Sequence, residues 1–152
     1  MGSGRLGLSP ALPGDIIHQC FRWSLYPQSG SYLASSPNIE IDTKFGGAKT
    51  FFGGKGLFLI KLEGEGDVFL SSFGAIAEID LNDERIIVDN GHLVAFTEGL
   101  EYRLTKLGSI KSAILGGEGK VYEFSGTGKI YIQSRSFELF IGKILPYIEP
   151  KK

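Results

Sequence analysis

The sequence predicts an all-β protein: a tandem-repeat antiparallel β-sandwich or barrel with a short C-terminal helix. Three observations carry this. Glycine makes up 22 of 152 residues, about twice the usual share. Short segments alternate apolar and polar residues, the period of a half-buried strand. The chain also repeats itself at a spacing of 61–63 residues.

Glycine disfavours helix and suits turns and bulges, so its abundance points to many short strands. The repeat is read by laying the chain on itself. Gly30-Ser31-Tyr32-Leu33-Ala34 matches Gly91-His92-Leu93-Val94-Ala95. Ile39-Glu40-Ile41 matches Leu100-Glu101-Tyr102, and Lys49-Thr50 matches Lys111-Ser112. Gly53-Gly54-Lys55-Gly56 matches Gly116-Gly117-Glu118-Gly119. Gly64-Glu65-Gly66-Asp67-Val68-Phe69-Leu70 matches Gly126-Thr127-Gly128-Lys129-Ile130-Tyr131-Ile132. Gly2-Ser3-Gly4-Arg5-Leu6-Gly7-Leu8 carries a trace of a third copy, 62 residues before Gly64. The expectation is one domain over 1–152, with repeat A over about 14–74 and repeat B over about 75–137. It would be a truncated or split member of a three-repeat family.

Within each repeat, Leu100-Glu101-Tyr102-Arg103-Leu104-Thr105 and Ile39-Glu40-Ile41-Asp42 alternate and read as strands. Asp67-Val68-Phe69-Leu70 and Lys129-Ile130-Tyr131-Ile132-Gln133 are rich in β-branched and aromatic residues. The Gly-x-Gly before each is expected to close a hairpin. Asp89-Asn90-Gly91, between Ile86-Ile87-Val88 and Leu93-Val94-Ala95-Phe96, is a second hairpin signal. Single helical turns fit Ala48–Phe52 and Ser109–Leu115. The one real helix is expected over about 137–145. Ser136 caps it, Phe137, Phe140, Ile141 and Ile144 share a face, and Pro146 ends it. That face is expected to dock across the protein's own sheet.

The bulk numbers narrow the function. Sixteen basic against 17 acidic residues leave a net charge of −1. A domain that neutralises phosphates shows a basic excess, so DNA is excluded and RNA disfavoured. A single cysteine, Cys20, permits no intrachain disulfide and fits a reducing compartment. The N-terminus lacks the basic and apolar regions of a signal peptide, and no apolar run reaches about 18 residues. A cytoplasmic protein is expected, with membrane contact disfavoured.

Five stretches resemble a known family. They are Leu12-Pro13-Gly14-Asp15-Ile16, Gly54-Lys55-Gly56-Leu57-Phe58-Leu59, Phe69-Leu70-Ser71-Ser72-Phe73-Gly74-Ala75-Ile76, Val88-Asp89-Asn90-Gly91-His92-Leu93-Val94-Ala95-Phe96 and Gly117-Glu118-Gly119. Together they resemble the altered-inheritance-of-mitochondria family, in order from about Gly4 to Phe140. The resemblance implies a fold similar to the tryptophan RNA-binding attenuation protein, a β-sandwich that assembles through sheet edges. It implies roughly one more repeat ahead of this start. It brings no catalytic residues, and its mitochondrial members imply a role in organelle organisation.

The chemical motifs are weak. Gly2-x-Gly4-x-x-Gly7 has the dinucleotide spacing but no room for a preceding strand. Gly46-Gly47-Ala48-Lys49-Thr50 lacks the spacing that cradles phosphate. His18, His92 and Cys20 are too few and too scattered for a catalytic metal. His92 reads as a hydrogen-bonded structural residue, and Asp89 as a turn residue accepting local N–H bonds. Glu78, Asp80, Asp83 and Glu84 read as a solvated strand end and turn. Cys20 reads as a buried, inert thiol. Trp23, Phe21 and Tyr26 with Arg22 could stack a base or peptide, but core packing is the simpler explanation. Trp23, Asp89, Asn90 and His92 are the candidate binding residues; no catalytic, metal or cofactor residue is assigned, and no cofactor is expected. The function expected is a non-enzymatic, self-assembling scaffold or protein-interaction module. Its partner is itself, in a homo-oligomer that is trimer-like or edge-paired, or another protein covering an exposed edge. The alternative is a ligand- or RNA-binding module by analogy of fold. A hydrolase using His92 with Asp89 is the third and weakest reading.

Overall fold

The computed structural model describes residues 3–45, 58–106 and 120–148. Eight strands form there: β1 (Ile16–Pro27), β2 (Tyr32–Ser35), β3 (Glu40–Asp42), β4 (Lys61–Ser71), β5 (Ile76–Asp89), β6 (Leu93–Thr97), β7 (Leu100–Lys106) and β8 (Lys120–Gln133). One 3-10 turn, Asn90–His92, joins β5 to β6, and helix α1 spans Phe137–Ile148. All eight strands belong to one antiparallel sheet ordered β2-β4-β1-β6-β8-β5, with β3 on β4 and β7 on β8. The predicted all-β class with a C-terminal helix is what the structure has. No helix among the described residues is long and apolar enough to cross a membrane, which leaves membrane-crossing strands unaddressed.

The two long strands β4 and β8 organise the sheet. β4 bonds β1 along one edge; its other edge takes β3 at Lys61–Glu63 and β2 at Val68–Leu70. β8 bonds β5 along one edge; its other edge takes β7 at Lys120–Gly126 and β6 at Ile130–Ile132. The register shift between Tyr32 and Ala34 on β4 has a counterpart between Leu93 and Ala95 on β8. The two halves join where the end of β1 meets β6, pairing Leu25 with Thr97, Tyr26 with Phe96 and Pro27 with Ala95.

Two apolar clusters form. Phe21, Leu25, Leu62, Val68, Leu70 and Val94 lead the first. Leu59, Leu93, Phe96, Tyr122, Phe124 and Ile130 lead the second. Phe96 anchors the latter through ring contacts of 5.0 Å with Tyr26, Tyr102 and Phe124. Deep burial raises the pKa of the Tyr122 phenol well above its usual value.

Several sequence expectations are corrected. Gly64-Glu65-Gly66 and Gly126-Thr127-Gly128 close no hairpins; both lie inside long strands. Gly64 and Gly126 have φ of +133° and +112°. A Cβ on either would stand 2.6 Å from a carbonyl oxygen, that of Asn38 or of Gly99. Glycine is needed there for close approach by a neighbouring turn. Asp89-Asn90-Gly91 does not join paired strands either, because β8 lies between β5 and β6. α1 continues past 145 with Pro146 inside it. The carbonyl that Pro146 leaves unserved belongs to exposed Gly142, where water can reach it. The helical turns expected at Ala48–Phe52 and Ser109–Leu115 fall outside the described residues.

Candidate functional site

The functional geometry concentrates where the two halves meet. Gln28, just past β1, donates from Nε2 to the Asn90 carbonyl at 3.0 Å and to Asn90 Oδ1 at 3.1 Å. Its own N–H donates to the Val94 carbonyl at 2.9 Å. Ser31 Oγ lies 2.7 Å from that same carbonyl. Gln133, the last residue of β8, makes the matching set. Its Nε2 donates to Gly91 O at 2.9 Å, its Oε1 accepts from Phe73 N at 2.8 Å, and its carbonyl lies 2.7 Å from His92 Nδ1. Asp89 Oδ1 accepts from Gly91 N at 2.9 Å and fixes the 3-10 turn. These side chains stitch one backbone to another, so the seam is held by hydrogen bonds as well as by the β1–β6 ladder.

A cavity of about 230 Å³ lies at this seam, lined by Gln28, Ser31, Phe73, Asn90, Leu93 and Phe137 among others. Most of its wall is apolar. The amides of Gln28 and Gln133 face backbone partners already, which favours a small apolar occupant over a charged one.

Of the sequence candidates, Asp89, Asn90 and His92 come together at this turn. Trp23 does not. It lies five residues before Gln28, roughly 16 Å away along an extended strand. Trp23 is also 73% exposed, not packed in the core. Its φ of +101° interrupts the in–out alternation of β1, so Arg22 and Trp23 both face solvent. Cys20 is exposed as well, on the outward register of β1 with His18 and Arg22. His18 pairs with Asp67 at 2.7 Å and stacks on Phe69. Glu78 and Asp80 flank Lys129 across the β5–β8 ladder, with Asp80 at 2.9 Å. Those two hydrogen bonds raise the pKa of Lys129. Among the described residues no group of three His, Cys, Asp or Glu side chains is placed to hold a metal.

Sequence reasoning missed Gln28 and Gln133. Neither lies in a motif, and only the fold brings them to the seam. It also missed which strands end the sheet. Among the described residues β2 pairs only with β4 and β5 only with β8. β1 sets Leu25 opposite Leu62 on β4, as β5 sets Ile86 opposite Phe124 on β8. The segment Ile86–Val88 thus occupies on β8 the place that Leu25–Pro27 occupies on β4, and Ile87 there is 62% exposed. β2 likewise occupies on β4 the place that β6 occupies on β8. The two strands that end the sheet are the counterparts of the two that pair inside it.

Comparison with known proteins fits this architecture. A family profile described as mitochondrial biogenesis AIM24 matches residues 1–135. The chain belongs to the AIM24 family. An uncharacterized protein of Streptococcus pyogenes serotype M6 is 34% identical over 150 residues, covering 97% of this chain. The AIM24 chain spans only 60% of that relative's length. A crystal structure of a Streptococcus pyogenes protein superposes with a TM-score of 0.78 at 31% identity, over 92% of this chain and 63% of the other.

Proposed function

We propose that this AIM24-family chain is a non-enzymatic, self-assembling scaffold or protein-interaction module that works through the two ends of its sheet. One observation carries the reading. Among the described residues β2 and β5 are each bonded on one side, and their counterparts β6 and β1 already pair with each other within the chain. An open strand end is a template for a further strand. The inner joint therefore supplies a pattern by which another copy, or a strand from a partner protein, adds to either end.

Absolute mass by light scattering across a size-exclusion peak, at two concentrations, tests the reading. A discrete oligomer is expected. Ile87→Lys places a charge on the exposed part of β5 and is expected to lower the mass. A monomer at both concentrations, with no partner adding to either end, would sink the proposal.

The seam cavity favours a second reading, a module that binds a small apolar ligand. Thermal unfolding in the presence of small apolar probes tests it: a rise in Tm that Leu93→Trp abolishes is the expected signature.

A further inference from the structure

Ser136 stands between β8 and α1 and is 5% exposed. Its carbonyl starts the helix by accepting from Phe140 N at 3.0 Å. The cap expected of its side chain does not form: among the described residues Ser136 Oγ makes no hydrogen bond. A hydroxyl withdrawn from bulk water without a partner is costly, and a fold that keeps one calls for a reason. Ser136 lines the seam cavity, and its Oγ is not sealed from solvent space, so the hydroxyl opens into that cavity. The turn beside it leaves the room. A Cβ on Gly91 would stand 2.5 Å from Ser136 Oγ.

The other serines of the wall are engaged. Ser31 Oγ lies 2.8 Å from the Gln28 carbonyl and 2.7 Å from that of Val94. Ser72 Oγ donates to Gly74 O at 2.6 Å, and Ser71 Oγ lies 3.4 Å from Ser31 O. Gln133 uses both ends of its amide. Among the described residues Ser136 therefore carries the one hydroxyl of the wall that is left to a visitor.

The rest of the wall decides what that visitor is. Phe73, Leu93 and Phe137 make it apolar. Among the described residues of the wall there is no Lys, Arg or His. A carboxylate or phosphate would enter this space with no countercharge. Glu138, the one charged residue of the wall, is already engaged, so an ammonium gains little. Volume sets the size. An apolar cavity of about 150 Å³ admits benzene. One of about 230 Å³ takes a ring with a short substituent. Phe137 is 49% exposed, so this wall reaches the surface and gives a way in.

We propose that the cavity takes a neutral, mostly apolar molecule with one hydroxyl or carbonyl oxygen, and that Ser136 Oγ is the hydrogen-bond partner of that oxygen. This rests on the reading of the seam as a ligand site and names the ligand's class and its anchor.

Two probes of one shape test it on the full chain by titration calorimetry: ethylbenzene, and benzyl alcohol, in which a hydroxyl replaces the terminal methyl. Both are expected to bind. Ser136→Ala should weaken benzyl alcohol about tenfold and leave ethylbenzene unchanged. Its Tm should hold, because the hydroxyl bonds no described group in the free protein. Benzoate should bind about tenfold more weakly than benzyl alcohol, or worse. If neither neutral probe binds, the seam is no ligand site and the proposal falls with that reading. If both bind and Ser136→Ala moves them alike, the ligand site stands and the anchor is overturned. Benzoate bound as tightly as benzyl alcohol overturns the neutral class.

Discussion

Trp23 and Gly64 sit opposite each other across β1 and β4, both with positive φ. For tryptophan that backbone is strained, at a cost of about 1–2 kcal/mol. Its side chain gains little burial in return. Trp23→Gly is therefore expected to stabilise the fold by about 1 kcal/mol, read as a higher midpoint in urea unfolding. A lower midpoint would mean that what burial the indole keeps outweighs the strain. Gly126→Ala is expected to do the opposite. It combines a φ of +112° with a Cβ 2.6 Å from the Gly99 carbonyl, and should cost about 2 kcal/mol or more. Cys20 is exposed, so it should react fully with a thiol reagent without denaturant.

At the scale of elements, the β7–β8 ladder carries a testable electrostatic pair. Arg103 Nη2 donates to Glu123 Oε2 at 2.6 Å, and Thr105 donates to Oε1 at 3.1 Å. These hydrogen bonds, that of Arg103 first, hold the Glu123 carboxyl below its usual pKa. The folded chain then binds fewer protons there than the unfolded one. Stability from this pair is present above the ordinary carboxylate range and is lost as pH falls through the depressed value. Glu123→Gln should therefore flatten the loss of stability between about pH 5 and pH 3, measured by urea unfolding at each pH. Arg103 and its strand were legible from alternation alone, because a half-buried strand prints its period in the sequence. Strand partners were not. Asp89-Asn90-Gly91 has hairpin composition, yet β6 lies on β8, some 40 residues on. Composition encodes a turn but not which strand follows it into the sheet. The Gly-x-Gly pairs were misread for a related reason: glycine serves a tight turn and a close approach alike, and only the approaching chain distinguishes them. The seam was half legible. Its turn shows in Asp89, Asn90 and His92, whereas Gln28 and Gln133 meet it only through long-range pairing.

The whole molecule rests on two apolar clusters joined by one sheet. Leu62 is fully buried in the first and faces Leu25 across the ladder. Leu62→Ala should cost about 3 kcal/mol, as a lower urea midpoint with an unchanged slope. At high pH the buried tyrosines contribute. Burial raises the pKa values of Tyr102, Tyr122 and Tyr131. Their contribution is fully present below about pH 10 and is lost as pH rises through the higher folded values.

Among the described residues β8 is both the partner of three strands and the last strand in sequence. On the ribosome, β1 to β4 can pair among themselves as soon as Ser71 is free of the exit tunnel. β5 and β7 cannot do the same. Ile76 waits for Gln133 and Leu100 waits for Gly126, so apolar strands emerge with no ladder to join. Synthesis thus passes through a stage in which half of the sheet is complete and the other half is an unpaired, aggregation-prone tail. A stop codon placed before Lys120 would freeze the chain at that stage, and chaperone demand should peak there.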